Sequence, residues 1–149
     1  GLTLNRMSDY RLGDVLEQMH IETDDADLAA MPVLVGGPVQ PDRGFVLHPP
    51  DGQNWDSTFQ VSPQLCITTS RDILAALARG EGPPRILIAL GYAGWGEGQL
   101  ESELQENAWL TVAADLEILF QTPLEQRWSA AARLMGVDLT LLTDYAGHA

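Results

Sequence analysis

Between Pro84 and Gly91 the chain carries Arg85-Ile86-Leu87-Ile88-Ala89-Leu90, an apolar run in which polar and apolar positions do not alternate. A strand with one face in water alternates, so this run predicts a strand over Arg85 to Leu90 that is covered on both faces. The same region settles whether the chain can cross a membrane as a helix. Its longest uncharged apolar stretch lies between Arg85 and Glu97 and is broken by Gly91, Gly94 and Gly96, well short of the ~20 residues a span needs.

Around this strand the pattern mixes both kinds of element. Leu12, Val15, Leu16 and Met19 recur at i, i+3, i+4, i+7, which predicts an amphipathic helix ending near His20, where an imidazole suits the helix dipole. Gly1 to Asn5 reads as strand-like, and Asp24, Asp25 and Asp27 as a solvated acidic loop without the ligand pattern of an EF-hand. Pro32 to Gly36 and Gly44 to Leu47 read as strands joined by a turn over 37–43, and Ser57 to Val61 with Leu65 to Thr69 as a hairpin. Ser70 caps a helix carrying Ile73, Leu74 and Leu77, closed by Gly80. A further helix presents Leu100, Leu104 and Ala108, and Trp109 to Ala113 and Leu116 to Phe120 return to strand-like patterning. Thr122, Pro123 and Glu125 spell a capping box before a last helix whose inner face is Leu124, Trp128, Ala131, Ala132 and Met135, ended by Gly136. Irregular interleaving of about four helices with strands predicts a mixed α+β class. With 149 residues, 45% of them hydrophobic, and no repeat or linker, one domain over 1–149 is expected.

Charge narrows the chemistry. Eight basic residues, all arginine, face 21 acidic ones, giving −13. Schiff-base and phosphate-loop lysines are excluded, and a basic stripe tracking a nucleic-acid backbone is disfavoured. Cys66 is the lone cysteine, set in Leu65-Cys66-Ile67, and reads as a small buried hydrophobe, which fits a reducing compartment and a cytoplasmic protein.

The densest constellation is Gly91-Tyr92-Ala93-Gly94-Trp95-Gly96-Glu97-Gly98-Gln99-Leu100-Glu101-Ser102-Glu103, at a strand-to-helix turn. It matches neither the dinucleotide nor the phosphate-loop glycine pattern, and Glu97 and Glu101 would repel an anion. Gly94, Trp95, Gly96, Gln99, Glu101 and Glu103 are therefore candidate ligand-binding residues beside a packing role for the turn. Gly94 and Gly96 are expected in conformations closed to other residues, so that valine there would cost roughly 1 to 3 kcal/mol. Arg43 and His48 form a second candidate pair, although five residues of strand separate them by about 17 Å. A triad from Ser57, His48 and an aspartate lacks a supporting motif, and His20, His48 and His148 lack metal-ligand spacing. No cofactor and no metal is expected.

Gly36-Gly37-Pro38-Val39, Arg43-Gly44-Phe45-Val46-Leu47-His48, Gly91-Tyr92-Ala93-Gly94-Trp95, Gly98-Gln99-Leu100-Glu101, Asn107-Ala108-Trp109-Leu110, Arg127-Trp128 and Gly147-His148-Ala149 together resemble the AlgH/YqgE family of bacterial proteins. The resemblance implies a coiled, partly barrel-like sheet surrounded by helices, and a role in transcriptional regulation of the alginate type without an established biochemical activity. Gly1 to Arg6 resembles the family's G-x-x-x-N-R-P segment, with Met7 in place of proline. Because further strands precede that segment in the family, a chain lacking N-terminal structure is expected. Without a basic reading helix, action through a protein or small-molecule partner is favoured over direct DNA binding. The alternative is an enzyme using Glu101 or Glu103 as acid or base, which requires a carboxylate with a raised pKa.

Overall fold

The computed structural model describes residues 1–136, so His148 and the Gly147-His148-Ala149 block lie outside the described residues. The chain forms two compact units, Gly1–Ala93 and Gly94–Ala149.

The first unit holds one six-stranded mixed sheet. Its strands are β1 (Met7–Arg11), β2 (Pro32–Val35), β3 (Val39–His48), β4 (Thr58–Ser62), β5 (Leu65–Thr68) and β6 (Leu87–Tyr92), in the spatial order β1-β2-β6-β3-β5-β4. The sheet is open, with β1 and β4 as its edges. The apolar run expected as a strand over Arg85 to Leu90 enters β6 at Leu87, with Arg85 and Ile86 outside the strand, and β6 lies parallel to β2 on one side and antiparallel to β3 on the other. Ile88 and Ala89, which point to opposite faces, are both buried.

Helices α1 (Leu12–Gln18) and α3 (Arg71–Ala78) bring Leu12, Leu16, Ile73, Leu74 and Leu77 into one core cluster with Val33, Val46 and Ile88. Each such side chain contributes ~1.5–3 kcal/mol when fully buried. The Arg11 amide donates to Asp14 Oδ2 at 2.8 Å at the start of α1. His20, just past its end, has φ 58.

Three expectations for this unit change. Gly1 to Asn5 is not a strand but lies against the sheet, with Thr3 N donating to Gly36 O at 2.7 Å and Ala93 N to Gly1 O at 2.8 Å. The acidic loop contains a short helix, α2 (Ala26–Ala29), because Asp25 Oδ1 accepts from the Asp27 and Leu28 amides and caps it. The turn expected over 37–43 is mostly strand. β3 starts at Val39, and its register against β6 shifts between Val39 and Gly44, with Gln40 at φ 45, so the irregularity is taken up within the strand.

The second unit contributes α4 (Gln99–Gln105), α5 (Leu116–Phe120), a 3-10 turn (Leu124–Gln126) and α6 (Arg127–Leu134). The two strands expected here are absent among the described residues. Residues 109–113 are irregular, and Leu116–Phe120 is helical because Asp115 Oδ1 accepts from the Ile118 amide at 3.1 Å. The capping box does not form. Thr122 Oγ1 donates instead to Glu117 O, closing α5 rather than opening α6. Of the expected inner face of α6 only Ala132 is buried, and Trp128 is 59% exposed.

Candidate functional site

The strand-to-helix turn is built by two glycines with different tasks. Gly91, at φ +76, lies one residue before the end of β6, against the backbone of Gly36 and Gly37; a side chain at Gly91 would collide with the Gly37 carbonyl oxygen and come within 3.2 Å of Val39 O. Gly98, at φ +75, sits in open space as the N-cap of α4. Both adopt the left-handed conformation that other residues reach only at a cost. Gly94 and Gly96 do not, and a Cβ on Gly94 would meet nothing within 4 Å. The strained conformation expected at 94 and 96 is thus carried by their neighbours.

Between these points the side chains of the second unit close on Glu103. Its Oε2 accepts from Trp95 Nε1 at 3.0 Å and from Trp109 Nε1 at 2.8 Å, while Oε1 accepts from Gln99 Nε2 at 3.2 Å. The other end of the Gln99 amide accepts from the Gly96 backbone at 3.0 Å, so one side chain fixes the loop and orients the carboxylate. The two indoles meet edge to face, with centroids 6.0 Å apart. Trp109 donation, followed by that of Gln99, outweighs the effect of burial, with Trp95 adding to it, and holds the Glu103 carboxyl below its ordinary value. Glu103 is therefore ionised and engaged.

Trp95, Gln99 and Glu103 are brought together with Gly96, and Trp109, which the periodicity placed in a strand, joins them. No periodic signal marks this: Trp109 lies six residues after Glu103, on irregular chain beyond the helix. Glu101 is exposed in the first turn of α4, where its charge suits the helix dipole.

Arg43 and His48 belong to the first unit, Arg43 midway along β3 and His48 at its end. Arg43 lies 5.5 Å from the Phe45 ring centroid and donates weakly, at 3.4 Å, to Gln40 Oε1. His48 is 1% exposed. Its Nδ1 is 2.8 Å from Pro49 O, which can only accept and so takes a hydrogen bond from Nδ1, and its Nε2 is hydrogen-bonded with Thr68 Oγ1 at 2.7 Å. With both ring nitrogens engaged, His48 cannot act as the base of a triad with Ser57. The register also places Cys66 opposite His48, a juxtaposition that spacing alone could not reveal. Burial, then the charge of Asp51, pushes the Cys66 thiol up, so it remains protonated and inert. Among the described residues no group of three His, Cys, Asp or Glu is arranged to hold a metal. None of the described helices is long and apolar enough to cross a membrane.

A family profile described as AlgH-like matches residues 1–140. The chain belongs to the AlgH-like family. A UPF0301 protein of Stenotrophomonas maltophilia is 61% identical over 148 residues, covering 99% of this chain and 78% of the relative. One from Xanthomonas campestris is 57% identical over 149 residues, covering 100% of this chain and 79% of its own length. Among solved structures, the AlgH protein from Pseudomonas aeruginosa is similar with a TM-score of 0.78 at 51% identity, over 96% of this chain and 75% of that one. A Corynebacterium diphtheriae protein shares the fold, with a TM-score of 0.69 at 16% identity, over 90% of this chain and 69% of that one. Within this AlgH-like chain, the glycine-rich family segment divides into backbone positions, Gly91 and Gly98, and the side-chain network on Glu103.

Proposed function

We propose that this AlgH-like protein is a non-enzymatic regulatory protein that holds a protein or small-molecule partner at the turn around Gly94, Trp95, Gly96, Gln99, Glu101 and Glu103. The observation that carries this reading is the state of Glu103. A general acid must keep a proton near neutrality, which requires a raised pKa. Glu103 instead has a lowered one, with three donors on its two oxygens. That argues against Glu103 as a general acid and for a preorganised platform. The network holds Trp109 in place at 49% exposure, leaving an aromatic surface of the kind enriched at binding interfaces. Transcriptional control, on this reading, passes through the partner, since a charge of −13 opposes direct contact with phosphates.

A metabolite screen read by tryptophan emission and by NMR tests the proposal. A partner whose binding is lost in Trp109→Ala and weakened in Glu101→Gln, with melting unchanged in the latter, supports it. Turnover of a screened compound that Glu103→Gln abolishes while leaving the protein folded would restore the enzyme reading. Nanomolar, competitor-resistant binding of promoter DNA by the protein alone would refute the indirect route.

A further inference from the structure

The first unit contains a cleft of about 590 Å³ on the helical face of the sheet, between α1 and α3, lined only by residues of that unit. Its volume lies within the range of small-molecule sites. Its floor is apolar, made by Val46, Leu74, Ile88 and Leu90, and Val15 and Met19 extend it along α1. Its rim is charged in a specific pattern: one guanidinium, Arg71, and two carboxylates, Asp14 and Asp42.

These groups are incompletely used. Arg71 Nη2 donates to Met19 O at 3.1 Å, which fixes the side chain at the end of α1 and leaves its remaining donors without a partner among the described residues. Asp14 accepts from the Arg11 amide through Oδ2 only, and Asp42 has no hydrogen-bond partner among the described residues. The Tyr10 hydroxyl and the Gln18 amide, also on the lining, are likewise without one.

We propose that this cleft binds a zwitterion with an apolar body, of the class of an aromatic or large aliphatic amino acid, its carboxylate on Arg71 and its ammonium on the Asp14 and Asp42 side. The charge pattern decides the class. A dianion such as a phosphate monoester would meet two carboxylates for one guanidinium, and an uncharged apolar molecule would use the floor and none of the three exposed charges. A neutral zwitterion satisfies both signs and covers the floor. The cleft leaves room for bridging water beside a molecule of this size, each water occupying about 30 Å³. The site is independent of the turn at Gly94 to Glu103.

The full chain, labelled with ¹⁵N, is titrated with three probes of one shape: phenylalanine, 3-phenylpropanoate without the ammonium, and 2-phenylethylamine without the carboxylate. Phenylalanine is expected to shift the amides of Val46, Leu74 and Ile88, and each single-charge analogue to bind at least about tenfold more weakly, a difference of roughly 1.4 kcal/mol. Asp42→Asn should weaken phenylalanine and 2-phenylethylamine while sparing 3-phenylpropanoate. Arg71→Gln should do the converse, with its spectrum reporting whether loss of the Met19 contact disturbs the fold. Asp42 has no described bond to lose, so its variant keeps the test open should Arg71→Gln fail to fold. Equal affinity for the three probes, shifts confined to other residues, or no shift at millimolar phenylalanine would overturn the proposal.

Discussion

Alanine placed at Gly91, Gly98 and Gly94 in turn separates the conformational from the steric demand of the glycine-rich segment. At Gly94 neither applies: φ is not positive and a Cβ meets nothing within 4 Å. The expected change is within about 0.5 kcal/mol. At Gly98 only the conformation resists, with φ +75 in open space, and a left-handed alanine costs ~1–2 kcal/mol. At Gly91 the same conformational cost applies, and the new carbon would meet the Gly37 carbonyl oxygen, with Val39 O at 3.2 Å and Pro41 Cα at 3.3 Å. These are backbone atoms of β3 and of the connection that leads into it, and cannot turn aside as a side chain could. Overpacking of this kind adds ~1–3 kcal/mol, for a total of about 2–5. Against the ~5–15 kcal/mol by which a domain is usually stable, that is enough to deplete the folded population at physiological temperature. Urea denaturation followed by circular dichroism gives the midpoints, with each variant read on the transition of the unit that carries it. A Gly94→Ala cost equal to that of Gly91→Ala would refute the reasoning.

The network on Glu103 makes a pH prediction. Its folded pKa is lowered, so its stabilising contribution is present above the ordinary carboxylate pKa and is lost as pH falls through the folded value; tryptophan emission should change over that acid range, and Glu103→Gln should remove the change. Cys66 has the opposite sign: its raised pKa gives a contribution present below the ordinary thiol value and lost as pH rises through the folded one, and thiol reagents should label it only as fast as the protein opens. Thr68→Val keeps the shape but takes the hydroxyl from His48 Nε2 and Thr58 Oγ1, and should destabilise by ~1–3 kcal/mol in urea titrations. A cost near zero would mean that water replaces the lost partner.

How far the fold could be read from sequence depended on whether an element is specified locally. The run at 85–90 announced a doubly covered strand, and β6 is central. The spacing of Leu12, Val15, Leu16 and Met19 yielded α1, and Gly80 closed α3, because periodicity and a left-handed glycine are properties of a few consecutive residues. Trp109 to Ala113 failed for the complementary reason. A strand exists only where a partner lies beside it, and no described strand pairs with this segment. At 122–125 the residues of a capping box are present, but Thr122 has one hydroxyl proton and the preceding helix end takes it. The Glu103 network needed a loop to fold back on a helix, and the opposition of His48 and Cys66 needed the β3–β5 register. Neither relation has a sequence period.

The glutamates of the turn illustrate how geometry reassigns residues that sequence treats alike. Glu101 and Glu103 lie two positions apart on α4, and either could be written as an acid or a base. On a helix that spacing turns them about 200° from each other, so their carboxylates leave α4 in different directions. Glu103 faces the loop and is engaged by two indoles and an amide; its removal would release Trp95 and Trp109 together. Glu101 accepts no hydrogen bond among the described residues. A variant at Glu103 therefore confounds architecture with recognition, whereas one at Glu101 changes a solvent-facing charge and little else. The cleaner question for the proposed platform is put to Glu101 and to the face of Trp109, with Glu103 serving as the control for loss of shape.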